Sequence, residues 1–321
     1  MALLTPLDGA TAATIFRDYG LVLESLEPLP DKGTVNSNFR CRAGGKSWFL
    51  RVNEGKTEAH ARREAALVES LVAAGFPTPP VVRTLDGSSV HCVGGKPVTL
   101  FPWLDGREAM AGEVAVAGEA LGRLHRATET ISDGPANQYS LPALQLRLES
   151  LENMMAGLSK EDRADIRSAV ALVAEELRVA MGPRAPSRAA LPHGLIHQDL
   201  FPDNVLVGAD GELVAVLDLE QATLGPLVYD LAVAIQAWAW DEERAQPLPH
   251  AESRLVAEYE KFRPLTDGER AALPAELRLS AARFLLTRLT DITLRAGVDP
   301  SLRQRKDHRR YLERLCYWLS R

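Results

Sequence analysis

Two kinds of hydrophobic pattern follow one another along this chain. In the first 98 residues, short alternating runs predict β-strands over 35–41 and 47–52, joined by the turn Gly44-Gly45. Hydrophobic residues at helical spacing predict a helix over 58–74, which Gly75 ends. A short helix is also predicted over 11–19, a hairpin over 81–85 and 89–93 turned at Asp86-Gly87, and a strand over 98–101.

From about residue 107 the pattern is mainly helical. Helices are predicted over 114–127, 144–158 and 161–181, and again beyond Asp230 to the end with a break at 246–249. A hairpin over 205–207 and 213–217, turned at Asp210-Gly211, is embedded among them. We therefore predict an α+β, bilobal fold. Its parts are a small antiparallel β-sheet lobe with one helix over 1–98, a hinge over 99–106 and a mainly α-helical lobe over 107–321.

Composition narrows the class of protein. Of the 321 residues, 46% are hydrophobic and 25% are charged, as in an ordinary globular protein that buries a core. The net charge of −6 gives no electrostatic support for a nucleic-acid partner. The three cysteines are far apart, and no basic leader or long apolar run is present. We expect a cytoplasmic protein with reduced cysteines and no membrane partner.

The strongest chemical signal is the segment His197-x-Asp199-x-x-x-x-Asn204. Phosphoryl transfer needs a carboxylate that orients the acceptor hydroxyl and takes its proton, and oxygen ligands for Mg²⁺. Asp199 has the spacing of such a base, and Asn204 has that of a metal ligand. An apolar run enters the segment, Pro202 stiffens it, and the predicted hairpin leaves it.

The second strand of that hairpin ends on Asp218, where kinases place their second metal-binding aspartate. We expect Asp218 and Asn204 to converge on one Mg²⁺; the alternative is a solvated carboxylate at a strand end. Glu220 would share a face with Asp218 if the strand continued. For Glu220, a role at the metal, a contact with the acceptor and a solvated turn all remain open.

The first lobe contains a candidate nucleotide-binding turn. The segment from Gly33 to Phe39 is rich in glycine, asparagine and serine, and it leads into a predicted strand. Backbone N–H groups in such a turn can bind phosphate oxygens. The candidate residues are Gly33, Asn36, Ser37 and Asn38. An ordinary hairpin turn is the alternative interpretation.

A candidate phosphate-binding cation follows in the same lobe. Arg51 lies at the end of a predicted strand, where kinases have a lysine that pairs with a glutamate of the next helix. Glu64 occupies that helix. Since a guanidinium can hold phosphate through two hydrogen bonds, Arg51 and Glu64 fit this pair. A surface ion pair is the competing interpretation.

Two further polar residues have structural interpretations. His125 lies on the apolar face of a predicted helix, which favours a core histidine with a hydrogen-bond partner. Asp230 begins an apolar helix, where it would serve as an N-cap or as a buried carboxylate bracing residues 197–204, which we call the catalytic segment.

The order of these motifs resembles the aminoglycoside phosphotransferase and choline kinase superfamily, which has a protein-kinase-like fold. Within it the chain most resembles the homoserine kinases, and the resemblance extends over nearly the whole length. It is carried by the segments 33–39, 95–106, 197–205, 229–238, 263–274 and 283–289 and by the stretch near 306–312.

This resemblance implies the transfer of phosphate from ATP, with Mg²⁺, to the side-chain hydroxyl of L-homoserine. It also implies Asp199 as the base, Asn204 and Asp218 as Mg²⁺ ligands, and Arg51 at the phosphate-contacting position. The segment 219–226 departs from the aromatic-rich segment usual in homoserine kinases. Because this segment belongs to the acceptor side, the departure leaves the identity of the acceptor open.

Three other functions compete with this one. A sister kinase would act on an aminoglycoside, a choline-like amino alcohol or an amino sugar. Acidic residues around the acceptor would favour such a polycation, whereas a basic residue beside a carboxylate would favour an amino acid. A pseudokinase would bind nucleotide without turnover, although Asp199, Asn204 and Asp218 are all present. A metal-dependent hydrolase using Asp199, Asp203 and Asp218 would leave Arg51 and Glu64 without a role.

Overall fold

A computed structural model of the chain describes residues 5–30, 36–132, 134–156, 158–182 and 188–321. In chain order the helices are α1 (Gly9–Asp18), α2 (Glu58–Ala73), α3 (Val114–Ala127), α4 (Leu141–Met155), α5 (Lys160–Met181), α6 (Leu227–Trp238), α7 (Ala251–Glu260), α8 (Asp267–Arg288), α9 (Pro300–Arg305) and α10 (Arg309–Leu319). The strands are β1 (Leu23–Pro28), β2 (Ser37–Ala43), β3 (Lys46–Val52), β4 (His91–Val93), β5 (Lys96–Pro102), β6 (Arg107–Glu108), β7 (His193–Ile196), β8 (Val205–Val207), β9 (Leu213–Val216), β10 (Thr223–Pro226), β11 (Trp240–Asp241) and β12 (Gln246–Pro247). These elements confirm the predicted α+β class.

The chain divides into two compact units. The first comprises Met1–Arg107 and Leu206–Glu220, and the second comprises Glu108–Val205 and Gln221–Arg321. The predicted helical lobe, residues 107–321, includes the hairpin of β8 and β9. In the structure, residues 206–220 of this hairpin belong to the first unit. One physical reason is that Val216 at the end of β9 donates its backbone N–H to the carbonyl of Pro77 at 2.8 Å.

The first unit is built on a five-stranded sheet with the strand order β1-β2-β3-β5-β4, in which neighbours are antiparallel. Phe39, Cys41 and Ala43 of β2 alternate with exposed residues and are buried, so one face of the strand enters the core. Ile15 and Phe16 of α1 belong to the same hydrophobic cluster. The strand β1, at the edge of this sheet, was not predicted from the sequence.

The predicted hairpin over 81–85 and 89–93 is wrong. Only β4 forms a strand there, and it pairs with β5 instead. The side-chain oxygens of Thr84 and Asp86 accept the N–H of Ser88 at 3.0 and 3.1 Å. The N–H of Val82 binds the carbonyl of Leu100 on β5 at 2.8 Å, so the residues on both sides of the turn bond to β5 and not to each other.

The second unit is organised around α6, in which every residue from Leu227 to Trp238 is buried. α6 packs against α3, α7 and α8, and α8 packs in turn against α5 and α10. A helix that is hydrophobic on all sides is the expected centre of a large helical core. None of the helices in the described part of the chain combines the length and hydrophobicity required to cross a membrane.

Helices α3 and α7 approach each other closely at two glycines of α3. A Cβ atom on Gly118 would lie 2.4 Å from the carbonyl oxygen of Leu255, and one on Gly122 would lie 2.8 Å from that of Tyr259. Neither position can carry a side chain without displacing α7. The two glycines therefore allow Tyr259 to lie next to α3.

Candidate active site

Arg51 and Glu64 form a buried ion pair in the first unit. Arg51 is the penultimate residue of β3, and its Nη2 bonds to Oε1 of Glu64 on α2. Their side chains are only 9% and 10% exposed. The predicted pairing is therefore present, and the interpretation as a surface ion pair is wrong.

Lys56, which sequence reasoning missed, joins this pair to Glu220. Its Nζ lies 3.0 Å from Oε2 of Glu64 and 2.7 Å from Oε2 of Glu220. Lys56 immediately precedes Thr57, the residue that caps α2. A basic residue directly before the helix that carries Glu64 is the feature of the sequence that could have indicated a role for Lys56. Since Glu220 is 13% exposed and paired, the solvated-turn interpretation of this residue is wrong.

Asp218 completes what we call the Arg51 cluster, which consists of Arg51, Lys56, Glu64, Asp218 and Glu220. Its Oδ1 lies 3.5 Å from Nη1 of Arg51, is shielded from solvent and has no hydrogen-bond partner among the described residues. Shielding of the carboxylate and the neighbouring charge of Glu220 raise the pKa of Asp218 above its ordinary value. Its backbone has a φ of 57°, a conformation that L-residues rarely adopt.

The charges of the Arg51 cluster fit a cation. Two basic side chains face three carboxylates, so one negative charge is uncompensated when all are ionised. Within the described ranges, no three His, Cys, Asp or Glu residues are grouped to hold a metal alone. Mg²⁺ in nucleotide enzymes is typically held by one or two carboxylates together with substrate phosphates. The residues present suit that kind of metal site.

The predicted nucleotide turn is described only in part, because Gly33 lies outside the described residues. Asn36, Ser37 and Asn38 are buried. Asn36 donates to Oε2 of Glu220 at 2.8 Å, and its Oδ1 accepts the N–H of Glu54 at 3.2 Å. Asn38 lies opposite Arg51 in the sheet. This segment thus supports the Arg51 cluster, and direct contact with phosphate stays a prediction.

In the second unit, the catalytic segment follows β7, which pairs with β10. The φ of Gln198 is 66°, an unusual value that turns the chain between His197 and Asp199. Asp230 of α6 accepts the N–H groups of His197 and Gln198 at 2.7 and 2.8 Å. The interpretation of Asp230 as a buried carboxylate that braces this segment is therefore correct.

His125 holds Asp230 from the opposite side. Its Nε2 lies 3.1 Å from Oδ2 of Asp230, and its Nδ1 lies 2.8 Å from the hydroxyl of Tyr259. Although burial alone would raise it, the hydrogen bond and charge of His125 hold the pKa of Asp230 below its ordinary value. The predicted core histidine is confirmed, and it links the close approach of α3 and α7 to the catalytic segment.

The carboxylate of Asp199 is oriented by Gln221, another residue that sequence reasoning missed. Nε2 of Gln221 lies 3.3 Å from Oδ2 of Asp199, and Oε1 of Gln221 accepts a bond from Arg283 at 3.0 Å. Asn204 ends a 3₁₀ turn that begins at Pro202, and its side-chain nitrogen donates to the Asp199 carbonyl at 2.8 Å. Because that nitrogen is engaged, the atom that Asn204 can offer a metal is its Oδ1.

The convergence of Asn204 and Asp218 on one ion stays a prediction.

Gln221 lies in the segment 219–226, which departs from the homoserine kinase pattern, and nothing in this segment indicated the role of Gln221. Arg283 belongs to a stretch whose likeness to a family was recognised, but nothing in its sequence context marked it as a site residue.

Three curated relatives that are named homoserine kinases match the chain over most of its length. A homoserine kinase of Gluconacetobacter diazotrophicus is 34% identical over 294 residues, which are 89% of this chain and 87% of that protein. One from Rhodospirillum rubrum is 35% identical over 70% of this chain and 67% of its own length. A homoserine kinase of Gluconobacter oxydans is 31% identical over 100% of this chain and 99% of its own length.

Solved structures with the same fold include phosphotransferases for other acceptors. A spectinomycin phosphotransferase in complex with ADP and spectinomycin has a TM-score of 0.68, with 14% identity and coverage of 96% of this chain and 95% of that one. A microcompartment-associated aminopropanol kinase also has a TM-score of 0.68, with 18% identity and 97% coverage of both chains. At these identities the likeness establishes the fold, and it confirms the predicted bilobal, protein-kinase-like class.

The fold is shared with small-molecule phosphotransferases and kinases. The model of the phosphotransferase enzyme family matches residues 25–265, well over half of the chain. This chain belongs to the phosphotransferase enzyme family. The resemblance inferred from the sequence is thereby confirmed.

Proposed function

We propose that the chain catalyses the ATP-dependent phosphorylation of the side-chain hydroxyl of L-homoserine. The observation that carries this proposal is the agreement between two findings. The relatives matched over most of the chain are homoserine kinases, and Asp199 is a carboxylate oriented by Gln221 on a braced segment. A carboxylate held in this way is suited to orient a hydroxyl and take its proton.

In the proposed reaction, the acceptor oxygen forms a bond to the γ-phosphorus while the bond from that phosphorus to the bridging oxygen of ADP breaks. The hydroxyl proton passes to Asp199. Arg51, fixed by Glu64, contacts the phosphates. Positioning supplies most of the catalysis in phosphoryl transfer, which is consistent with the several hydrogen bonds that fix the catalytic segment.

A magnesium ion bound with ATP would neutralise charge on the phosphates. Asp218 and Asn204 are the proposed ligands from this chain. Asp218 fits because its shielded Oδ1 lacks a hydrogen-bond partner in the described structure. Asn204 fits because its side-chain nitrogen donates to the carbonyl of Asp199, and its amide oxygen is the atom that can bind the metal.

An acceptor screen tests the proposal. Purified protein is incubated with ATP, Mg²⁺ and one of L-homoserine, L-serine, choline, ethanolamine or spectinomycin, and ADP release is followed. Phosphorus NMR then identifies the phosphate ester. We expect ADP release above the acceptor-free background with L-homoserine and a phosphate ester on its side-chain oxygen. Turnover with another acceptor and none with L-homoserine would overturn the choice of substrate. Binding of ATP without turnover of any acceptor would favour the pseudokinase alternative.

A further inference from the structure

A buried guanidinium with unpaired nitrogens lies beside the catalytic segment. Arg283 on α8 is 2% exposed, and its Nη2 donates a hydrogen bond to Oε1 of Gln221. Its Nε and Nη1 are buried and have no hydrogen-bond partner in the part of the chain that the structure describes. A buried charged donor left unpaired is costly, which calls for a partner that the protein chain does not supply.

Aromatic rings surround this guanidinium. The Cζ atom of Arg283 lies 3.8 Å from the ring centroid of Tyr139 and 3.9 Å from that of Phe284. Contacts with aromatic rings stabilise a cation without using its N–H groups. Over the described ranges Arg283 takes part in no ion pair with an acidic side chain. A guanidinium presents two parallel N–H groups along its Nη1/Nη2 edge and along its Nε/Nη2 edge, and Gln221 takes only one of the two N–H groups of Nη2. One edge of Arg283 therefore stays open to an anion with two coplanar oxygens, such as a carboxylate.

We propose that Arg283 binds the carboxylate of the phosphate acceptor, so that the enzyme selects hydroxy amino acids over amino alcohols and aminoglycosides. This inference rests on the proposed kinase function and extends it to the chemical group that an acceptor must carry. Arg283 is thus assigned as a specificity-determining residue, and it is separate from the proton acceptor Asp199.

The distances allow one small molecule to reach both residues. Two hydrogen bonds and one amide group connect Nη2 of Arg283 to Oδ2 of Asp199, so these atoms lie at most about 9 Å apart. An extended four-carbon amino acid spans about 5 Å from its carboxylate carbon to its γ-hydroxyl oxygen. With hydrogen bonds of about 2.8 Å at both ends it bridges that distance.

The inference also explains why Gln221 lies between the two residues. Its amide accepts from Arg283 and donates toward Asp199, so one side chain fixes the cation that would hold the acceptor carboxylate and the base that would meet the hydroxyl. A positively charged acceptor such as choline or an aminoglycoside would be repelled by the buried charge of Arg283.

The test compares L-homoserine with its carboxamide, which lacks only the negative charge. For the natural chain we expect kcat/KM to be at least about 100-fold lower with the carboxamide. Arg283→Gln should lower kcat/KM for L-homoserine by about 100-fold, mainly through KM. The loss of the bond to Gln221 affects both acceptors, so kcat/KM for the carboxamide should also fall, but by at least about tenfold less than that for L-homoserine. The KM for ATP should stay unchanged.

Arg278→Gln is the matched control, since Arg278 lies on the same helix and pairs with Glu176 at 3.2 Å. This substitution should leave kcat/KM unchanged for both L-homoserine and its carboxamide. Equal use of acid and carboxamide by the natural chain would overturn the inference, as would an equal loss of both in Arg283→Gln. If Arg283→Gln does not fold, the acid-to-carboxamide comparison on the natural chain decides alone.

Failure of the substrate choice is distinguishable from failure of this inference. Turnover of L-homoserine that is indifferent to Arg283 would leave the proposed function standing and remove the inference. Turnover of a different hydroxy acid that is selectively lost in Arg283→Gln would remove homoserine and keep the role of Arg283. Turnover only of acceptors without a carboxylate would overturn both.

Discussion

Oδ2 of Asp230 accepts the backbone N–H of His197 at 2.7 Å, so a buried side chain of α6 fixes the start of the catalytic segment. The adjacent N–H of Gln198, whose φ is 66°, binds the other oxygen of the same carboxylate. Asp230 thereby stabilises an unfavourable backbone turn directly before Asp199. It is a positioning residue, and its effect on activity must pass through that turn.

Replacing Asp230 by Asn should impair both stability and turnover. An amide has one acceptor oxygen, so its NH₂ group would face a backbone donor that the carboxylate now satisfies. We expect a loss of about 3 kcal/mol in the free energy of unfolding and a lower kcat with little change in the KM for ATP. Urea unfolding and steady-state kinetics measure these effects. Asp299→Asn, at the start of α9, is the control and should preserve turnover.

The lowered pKa of Asp230 predicts how this stabilisation depends on pH. A carboxyl group with a pKa lower in the folded than in the unfolded chain contributes stability above its unfolded value, which is about 3.9. That contribution is lost as the pH falls through the folded value. The stability advantage of the natural chain over Asp230→Asn should therefore be constant from about pH 7 to pH 5 and shrink below about pH 4. An advantage that grows in acid would contradict this assignment.

Gly118→Ala should destabilise the second unit. The added Cβ would lie 2.4 Å from the backbone oxygen of Leu255 and force α3 and α7 apart. We expect a loss of about 1–3 kcal/mol on thermal unfolding. Gly268→Ala is matched to it, because this glycine is also helical and its nearest neighbouring atom is 3.9 Å away. Since alanine favours a helix, the control should be neutral or slightly stabilising, and equal losses in both variants would refute the close-packing argument.

Arg51→Met should weaken the use of ATP. The variant keeps an unbranched apolar stem but removes the guanidinium that Glu64 holds in place. We expect kcat/KM for ATP to fall by about 10-fold to 100-fold. Arg62→Met, which breaks an exposed ion pair with Glu58 on α2, should change kcat/KM by less than about twofold. A similar fall in both variants would remove the special role of Arg51.

Patterns local in sequence were predicted best. Three of these predictions depend only on nearby residues: the helix that ends before Gly75, the hairpin turned at Gly44-Gly45 and the pairing of Arg51 with the next helix. Lys56, Gln221 and Arg283 were missed because their importance arises from tertiary contacts. The wrong hairpin at Asp86-Gly87 shows the same limit, since β4 and Val82 bond to β5, a strand that follows the turn in sequence and lies beside both of them in the fold.

The most direct test of the account is kcat for L-homoserine-dependent ADP formation by the natural chain and by Asp199→Asn, with unfolding curves to show that both are folded. The natural chain should turn over L-homoserine. The variant, which loses the proton acceptor and keeps the side-chain shape, should be slower by about 10²-fold to 10⁴-fold while ATP binding is retained. A folded variant that forms ADP at the rate of the natural chain would contradict the central claim that Asp199 is the base of a phosphotransferase.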